Sequence, residues 1–503
     1  MAESNPKASS LDEIEKRGDY LEEPDLDAGL SDAERAAIDK RLVRKLDMRL
    51  IPWLCLLYLA SFLDRTNIGN AKIEGLVDDL GMTNGQYSAC LTIFFVSYAL
   101  FEPISNILLK RMRPRIYIPL IMVLWGICMT FMGFCRNFSD MMAARWFVPR
   151  CAYSYSLSLF FPTGGVNYYL SCWYKRREFG IRAAIFFSAA AVSGSFGGLL
   201  AAAISKMDGV GGKRGWAWIF ILEGLATALI GVISFWVVVD FPDDAKFLSP
   251  EDRARVLRRL RNDQQSSAEH EDFKMLYLWQ SLKDWKTYTG MLIYMGVDGS
   301  LYAFSLFLPS IIKEMGYSAT RAQLLSVPPY AAACILTILV GWQADRSNRR
   351  GVFNIATSLL GVVGFSILLG SNSAALSYVA VFLGALGIYP CIPNTITWVS
   401  NNVEGVYKRG VTLGFVIGWG NLNGVMSSNV YRQVDAPHYR LGHGIVLGYL
   451  AIGLLGGSVL NWVLLKRENE KRRNGERDAW VQGLGRGEVE YLGDRRPDFL
   501  YTL

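Results

Sequence analysis

Residues 216–239 read WAWIFILEGLATALIGVISFWVVV and contain a single charged residue, Glu223. A helix of about 20 consecutive apolar residues spans the ~30 Å hydrocarbon core of a bilayer. A soluble helix of this length would carry polar residues along one face, and this stretch does not. The segment therefore predicts a transmembrane helix.

Apolar stretches of similar length occur on both sides of residues 216–239. Those before it are 49–70, 86–109, 115–135, 140–172 and 182–205; those after it are 288–312, 323–344, 352–370, 375–398, 411–431 and 443–465. A polar block, residues 240–287, separates the two sets. We predict an all-α membrane protein of twelve helices in two six-helix halves, 46–239 and 288–465, joined by a cytosolic linker.

Charged residues make up only 19% of the chain, and they collect in the tails, the polar block and the short loops. Basic clusters such as Lys175-Arg176-Arg177 follow alternate spans, which is the positive-inside pattern. We therefore expect both termini in the cytosol, with residues 1–45 as a disordered acidic tail and 466–503 as a second tail. A short amphipathic helix is expected near Ser31–Leu46. The net charge of +7 is spread over loop ends and does not indicate nucleic-acid binding.

Several classes of site are excluded by residue type. The eight cysteines have no regular spacing, and the histidines (His270, His438, His443) lie in loops or at a span edge. No disulfide framework, metal site or cofactor is indicated. The lack of histidines within the spans argues against an intramembrane metalloenzyme, and we expect no enzyme. The chain also lacks a phosphate-binding P-loop, which excludes ATP-driven export.

Ionisable residues inside apolar spans are costly and are candidates for function. The first span contains Asp64-Arg65 followed by Asn67. The planar guanidinium of Arg65 suits a carboxylate substrate, while Asp64 could exchange a proton. The alternative is a self-neutralising pair at a helix end. Glu102, just before Pro103 in the second span, is either a proton carrier or an interhelical hydrogen-bond partner at a kink.

Arg145 in the fourth span is a second buried cation and a candidate for binding the substrate. Glu223 could carry function or could pair structurally with an arginine of the same half, and we favour the structural role. The second half carries almost no charge within its spans, but its polar groups could orient an organic ligand. The predicted substrate-binding residues there are Tyr294, Tyr389, Asn394 and Asn421.

The loop between the eighth and ninth spans reads GWQADRSNRR, residues 341–350. An acid at a helix end beside arginines could form a latch between the halves that breaks when they rock. A positive-inside anchor is the other interpretation, and both can hold. The predicted latch consists of Gly341, Asp345, Arg346, Arg349 and Arg350.

That loop resembles the G-x-x-x-D-R-x-G-R-R motif of major facilitators, with Asn348 in place of the usual glycine. Other motifs look like those of the fungal anion:cation symporters, a group similar to allantoate permease and the high-affinity nicotinate transporters. The matching segments are 64–72, 168–178, 184–189, 430–437 and 493–501. The resemblance implies proton-coupled uptake of small organic anions such as nicotinate, allantoate or pantothenate.

The fourth span departs from that family pattern. The family has a glutamate seven residues after the arginine, where this chain has Ala152, and Pro149 and Arg150 stand within the span. Within the segment Val148–Thr163, residues 156–163 read SLSLFFPT, which is what a pyrimidine tract and splice acceptor encode, so the segment could be retained intron. Sequencing the transcript tests this hypothesis. If the segment is genuine, Asp64 or Glu102 must carry the proton alone.

The sequence thus predicts a plasma-membrane symporter that imports a small carboxylate with a proton by alternating access, as a monomer in the lipid bilayer. A non-transporting nutrient sensor and a facilitative or export carrier of organic anions are the alternatives. Uptake that rises at acidic pH would distinguish the symporter from both.

Overall fold

The computed structural model describes residues 29–111, 113–150, 169–170, 172–262, 275–483, 489 and 492–503. It describes no side chains at 98–111, 147–150, 176–177, 261–262, 275–276 and 406–407. Within these ranges the regular secondary structure is entirely helical. Each of the twelve predicted spans overlaps a helix, and nine helices in the described ranges are long and apolar enough to cross a membrane.

We number the spanning helices α1 to α12. The first six are α1 (Asp32–Ile73), α2 (Asn84–Arg111), α3 (Pro114–Met132), α4 (Phe138–Arg150), α5 (Arg176–Ile204) and α6 (Gly215–Val237). The second six are α7 (Trp285–Glu314), α8 (Ala319–Ser347), α9 (Arg350–Gly370), α10 (Ala374–Ile388 and Cys391–Asn401), α11 (Val406–Leu422 and Gly424–Val430) and α12 (Arg440–Arg473). The predicted twelve-helix, all-α architecture is confirmed.

Helix α1 is longer than the sequence suggests. Ser31 caps its N-terminus, and the Glu34 side chain accepts a hydrogen bond from the Ser31 N–H at 2.9 Å. This reciprocal capping box starts a helix of 42 residues that runs without interruption through Pro52 to Ile73. The helix expected near Ser31–Leu46 is therefore present, but it is continuous with the first span, and residues 32–45 are not a disordered tail.

Small residues bring neighbouring helices close together within each half. In the first half, a Cβ added to Gly126 of α3 would lie 2.6 Å from the carbonyl oxygen of Gly224 in α6. In the second half, Gly387 of α10 packs equally closely on Gly361 of α9. Without a hydrophobic driving force between helices in lipid, such close backbone contacts are a main source of helix association.

The contacts between the halves follow a two-fold pattern. Helix α5 packs against α8, α2 packs against α11, and α1 packs against α7. If each helix is replaced by its counterpart in the other half, six helices along the chain, the α5–α8 contact becomes the α11–α2 contact. The α1–α7 contact is converted into itself. This is the arrangement expected of two repeated halves around an axis along the membrane normal.

The polar linker is divided between the two halves. Its first helix, Pro250–Asn262, pairs Arg259 with Asp39 of α1 at 3.1 Å and with Glu178 of α5 at 2.6 Å. Its second helix, Met275–Leu282, packs against α11. Residues 263–274 lie outside the described ranges.

The C-terminal tail packs against the end of the second half that carries the latch. The Asp494 side chain is fully buried and binds Lys286 of α7 and, at 2.7 Å, Lys408 of α11. The carbonyl of Thr502 accepts a hydrogen bond from the indole of Trp398 at 2.9 Å. This tail segment, residues 492–503, thus links α7, α10 and α11, and it also contacts the end of α12.

Candidate functional site

Arg65 lies at the centre of the molecule, where the two halves meet. Its guanidinium donates a hydrogen bond to the hydroxyl of Tyr302 in α7 at 3.0 Å. Tyr302 in turn donates to Asn421 of α11 at 2.7 Å. Arg65 is only 6% exposed and is surrounded by the rings of Phe62, Phe94 and Tyr302. A buried cation therefore connects three helices from both halves.

Arg145 of α4 lies against the same aromatic ring. Its guanidinium carbon is 5.4 Å from the centre of the Phe94 ring, and that of Arg65 is 6.0 Å from it. Arg145 is 2% exposed, and its Nε and Nη2 atoms have no hydrogen-bond partner among the described atoms. The two predicted substrate-binding arginines are thus brought together around Phe94.

Asp64 points away from this pair of arginines, into the first half. Its fully buried carboxylate has the hydroxyl of Thr227 in α6 and the indole of Trp125 in α3 as neighbours. No ion pair joins Asp64 to Arg65 within the described part of the chain. Adjacent residues point about 100° apart on a helix, and here that separation sends the acid and the base to different surroundings. The self-neutralising pair is therefore not formed.

Glu223 completes a buried polar cluster with Asp64. It is 4% exposed, and its Oε2 atom accepts a hydrogen bond from Asn67 of α1. Its partner is thus Asn67, where the sequence analysis favoured an arginine. Its Oε1 atom has no hydrogen-bond partner among the described atoms. The cluster places two carboxyl groups beside one amide in the interior of the first half.

The polar residues predicted in the second half fall into separate places. Asn421 joins the central hydrogen-bond chain through Tyr302, a polar residue of the second half that is not among the predicted substrate-binding residues. Tyr294 lies against Gly420 of α11. Tyr389 shares a hydrogen bond with Ser305 at 3.0 Å and meets the ring of Tyr330 edge-on.

Asn394 does not join the central group. Its amide donates to the carbonyl of Arg350 at 2.8 Å and to the side chain of Asn354 at 3.1 Å. Asn394 therefore supports the start of α9 at the latch, and the structure gives it this position in place of the predicted one at the substrate.

The latch links α8 to α5. Asp345 accepts a hydrogen bond from the backbone N–H of Ile181 at 2.5 Å and is paired with Arg350. Arg346 and Arg349 are exposed, and Arg346 lies over the ring of Trp342. Of the four charged residues predicted for the latch, Asp345 and Arg350 thus make its described contacts.

Two predicted features fall outside the described residues. Glu102 lies in α2, but its side chain is not described. Most of the atypical segment Val148–Thr163 is likewise outside the described ranges. The described residues contain no group of histidine, cysteine or acidic side chains that could hold a metal ion.

Residues 54–428 match the Major Facilitator Superfamily. The chain belongs to this superfamily. It is 37% identical to an uncharacterised transporter of Schizosaccharomyces pombe, with 87% of this chain and 89% of that protein covered. It is 31% identical to the high-affinity nicotinic acid transporter of Saccharomyces cerevisiae, with 92% and 85% covered. These relatives are transporters and not enzymes, and this major facilitator is a membrane transporter.

A solved structure supports the fold. The proton:xylose symporter XylE aligns with a TM-score of 0.62 over 83% of this chain and 96% of that one, at 13% sequence identity. At that identity the likeness concerns the fold alone. The similarity in fold agrees with the two-fold pattern of contacts between the halves.

Helices α5 and α8 of this major facilitator pack closely at both of their ends. At the latch end, a Cβ added to Gly341 would lie 2.3 Å from the Cβ of Ala184. At the other end, a Cβ added to Gly198 would lie 2.6 Å from the carbonyl oxygen of Gln323. Gln323 also donates to Glu74 of the first half at 3.0 Å. Opening either end requires these contacts to separate.

Replacing Gly341 with valine should prevent closure at the latch end. Overpacking costs about 1–3 kcal/mol, so we expect uptake to fall about tenfold or more at a normal level of protein in the membrane. The thiol of Cys334, which contacts Ser188 of α5, should become more reactive toward a water-soluble maleimide in a background lacking the other cysteines.

The control for this prediction is Gly414→Val in α11, because an added Cβ there has no neighbour within 4 Å. This variant should transport normally. Normal uptake and unchanged labelling of Cys334 in Gly341→Val would contradict the prediction.

Proposed function

We propose that the protein imports a small organic anion together with a proton by alternating access. The observation that carries the proposal is the buried chain Arg65–Tyr302–Asn421, which joins the halves through a cation. A carboxylate of nicotinate, allantoate or pantothenate size is the substrate class that fits such a site. The similarity to the nicotinic acid transporter makes nicotinate the first substrate to test.

The anion would bind between the two arginines. A carboxylate can accept two parallel hydrogen bonds from a guanidinium, and such charge-assisted bonds are stronger than neutral ones. The aromatic rings of Phe62, Phe94 and Tyr302 around Arg65 provide the apolar walls that ligand pockets of this kind use. Arg145, with two nitrogens lacking a described partner, supplies the second donor.

The proton would be carried by Asp64. An ionised carboxylate buried without a cation beside it is costly, so Asp64 is suited to bind a proton in one state and release it in another. Residue 152 is alanine in this chain, and Asp64 is the described acid next in sequence to the substrate arginine.

Substrate binding and the movement of the halves are coupled through Tyr302. A carboxylate that binds Arg65 competes with the Tyr302 hydroxyl for the same guanidinium. It thereby alters a contact that holds α1 to α7, and a ligand shifts a conformational equilibrium only through such differential contacts. We place both termini in the cytosol on the basis of the basic loops, and we place the protein in the plasma membrane because the proposed activity is uptake into the cell.

Uptake of labelled nicotinate into permease-deficient cells tests the proposal. We expect uptake to be faster at acidic than at neutral external pH and to collapse with a protonophore. Each unit of pH gradient supplies about 1.4 kcal/mol, enough for about tenfold accumulation. Asp64→Asn should abolish this accumulation.

The matched control is Asp140→Asn, which removes an exposed acid in the first turn of α4 and should leave accumulation unchanged. If the rate of uptake by the unmodified protein does not depend on external pH, a facilitative carrier is favoured. If none of nicotinate, allantoate and pantothenate is taken up, a non-transporting nutrient sensor is favoured.

A further inference from the structure

A cavity of about 480 Å³ lies at the latch end of the second half, beside the docked tail. Its walls come from the start of α7, the end of α12 and the C-terminal tail. Five of the eleven lining residues are lysine or arginine and two are acidic, so the wall carries a formal charge of +3. A concave surface with a surplus of positive charge concentrates anions.

Three of these five cations are held by the protein itself. Lys286 binds the carboxylate of Asp494. Arg472 donates to main-chain carbonyls of the tail, including that of Asp494 at 3.0 Å. Arg477 pairs with Glu468 at 2.7 Å. These residues shape the cavity and connect the tail to α7 and α12.

The other two cations are available to a ligand. Lys283, just before α7, and Arg495, in the tail, are exposed and line the cavity. Neither side chain has an acidic partner within the described ranges. Because Lys283 lies in the segment that leads into α7 and Arg495 lies in the tail, an anion held by both would bridge the tail and the start of α7.

Aromatic residues place the cavity at the edge of the membrane. Trp285 and Trp480 line it and are 36% and 43% exposed. Tyr288, one turn further along α7, is 54% exposed. Tryptophan and tyrosine are enriched at the level of the lipid headgroups, and α7 enters the membrane from this point.

We propose that this cavity is a binding site for a phosphate-bearing polyanion, with Lys283 and Arg495 contacting its phosphate groups. Basic pockets at the cytoplasmic ends of transmembrane helices bind lipid headgroups of this kind. Two sources share this chemistry: the headgroup of a phosphoinositide lipid and a soluble inositol phosphate. Binding ties the tail to α7 and does not involve the transported anion.

The test uses the purified full-length protein in nanodiscs. It is titrated with fluorescent phosphatidylinositol bisphosphate and, separately, with inositol hexakisphosphate. We expect saturable binding, weakened about 30-fold in the double variant Lys283→Gln, Arg495→Gln. The control is Lys471→Gln, Arg473→Gln, which removes the same charge from exposed positions of α12 that do not line the cavity. It should bind like the unmodified protein.

Binding of the soluble phosphate that competes with the lipid would support the site and show that phosphate alone is recognised. Saturable binding of the lipid alone would support the site and assign it to the headgroup. Equal weakening in the two double variants, or binding that does not saturate in the unmodified protein, would overturn the proposal.

Discussion

Arg65→Gln should abolish high-affinity uptake. A bidentate guanidinium–carboxylate contact comprises two charge-assisted hydrogen bonds of about 1.5–3 kcal/mol each, so their loss should weaken transport efficiency at least about 100-fold. Initial rates of labelled nicotinate uptake over a range of concentrations give this efficiency. Protein in the membrane is quantified in parallel, because Arg65 also binds Tyr302.

Arg65→Lys separates charge from geometry at the same position. Lysine keeps the positive charge but loses the planar pair of donors, so we expect an intermediate loss. Arg136→Gln is the matched control, since Arg136 is an exposed residue of the same half, and it should transport normally. Unchanged half-saturation in Arg65→Gln would contradict a direct role for Arg65 in binding the anion.

Asp494→Asn should destabilise the second half by about 3 kcal/mol. Removing one partner of a buried ion pair leaves the other charge uncompensated, which typically costs 3–5 kcal/mol. We expect the lower end because Asp284 remains 3.2 Å from Lys286 and 3.0 Å from Lys408. The melting temperature of the purified protein in detergent measures the effect, and limited proteolysis reports the release of the tail.

The pH dependence of the stabilisation by Asp494 follows from the lowered pKa of its carboxyl group. Burial acts to raise the pKa of its carboxyl, but Lys286 and Lys408 outweigh burial and hold that pKa below its usual 3.8. The stabilisation is therefore complete above pH 3.8 and is lost as pH falls through the lower folded pKa. At neutral pH, Asp494→Asn shows its full effect.

Asp498→Asn is the matched control in the same tail. The Asp498 side chain is 75% exposed and lies 3.8 Å from Arg496, so its loss should leave the melting temperature unchanged. Equal melting temperatures for Asp494→Asn and the unmodified protein would contradict a stabilising role for the buried ion pairs of Asp494.

The number and order of the helices could be predicted from the sequence because the bilayer imposes length and composition on each span. The length of α1 could not, because the sequence indicates a short helix near Ser31–Leu46 and a separate span from residue 49, which the structure joins into one helix. Charged residues such as Arg49 look like the edge of a membrane segment, yet a charge at the interface does not end a helix. Without a breaker between the capped start at Ser31 and the first span, the backbone continues as one helix.

The site was predictable in part for a similar reason. A charge inside an apolar span is conspicuous, so Asp64, Arg65 and Arg145 could be selected. A tyrosine or asparagine in a span is ordinary, and its role depends on which helix lies opposite. Tyr302 meets Arg65 and Asn394 meets Arg350 because of how α7, α9 and α10 pack. The spacing of residues along one helix does not predict which residues of another helix will face it.

The uninterrupted course of α1 has a mechanical consequence. From Asp32 to Arg65 the helix is about 50 Å long, so a tilt of about 10° pivoting near Arg65 would sweep its outer end through about 9 Å. Such a tilt would convert a small rotation at the centre of the membrane into a larger displacement of the helix end in solution. The distance between a spin label at exposed Arg35 and one at exposed Arg349, at the start of α9, would therefore change during the transport cycle and can be measured outside the bilayer.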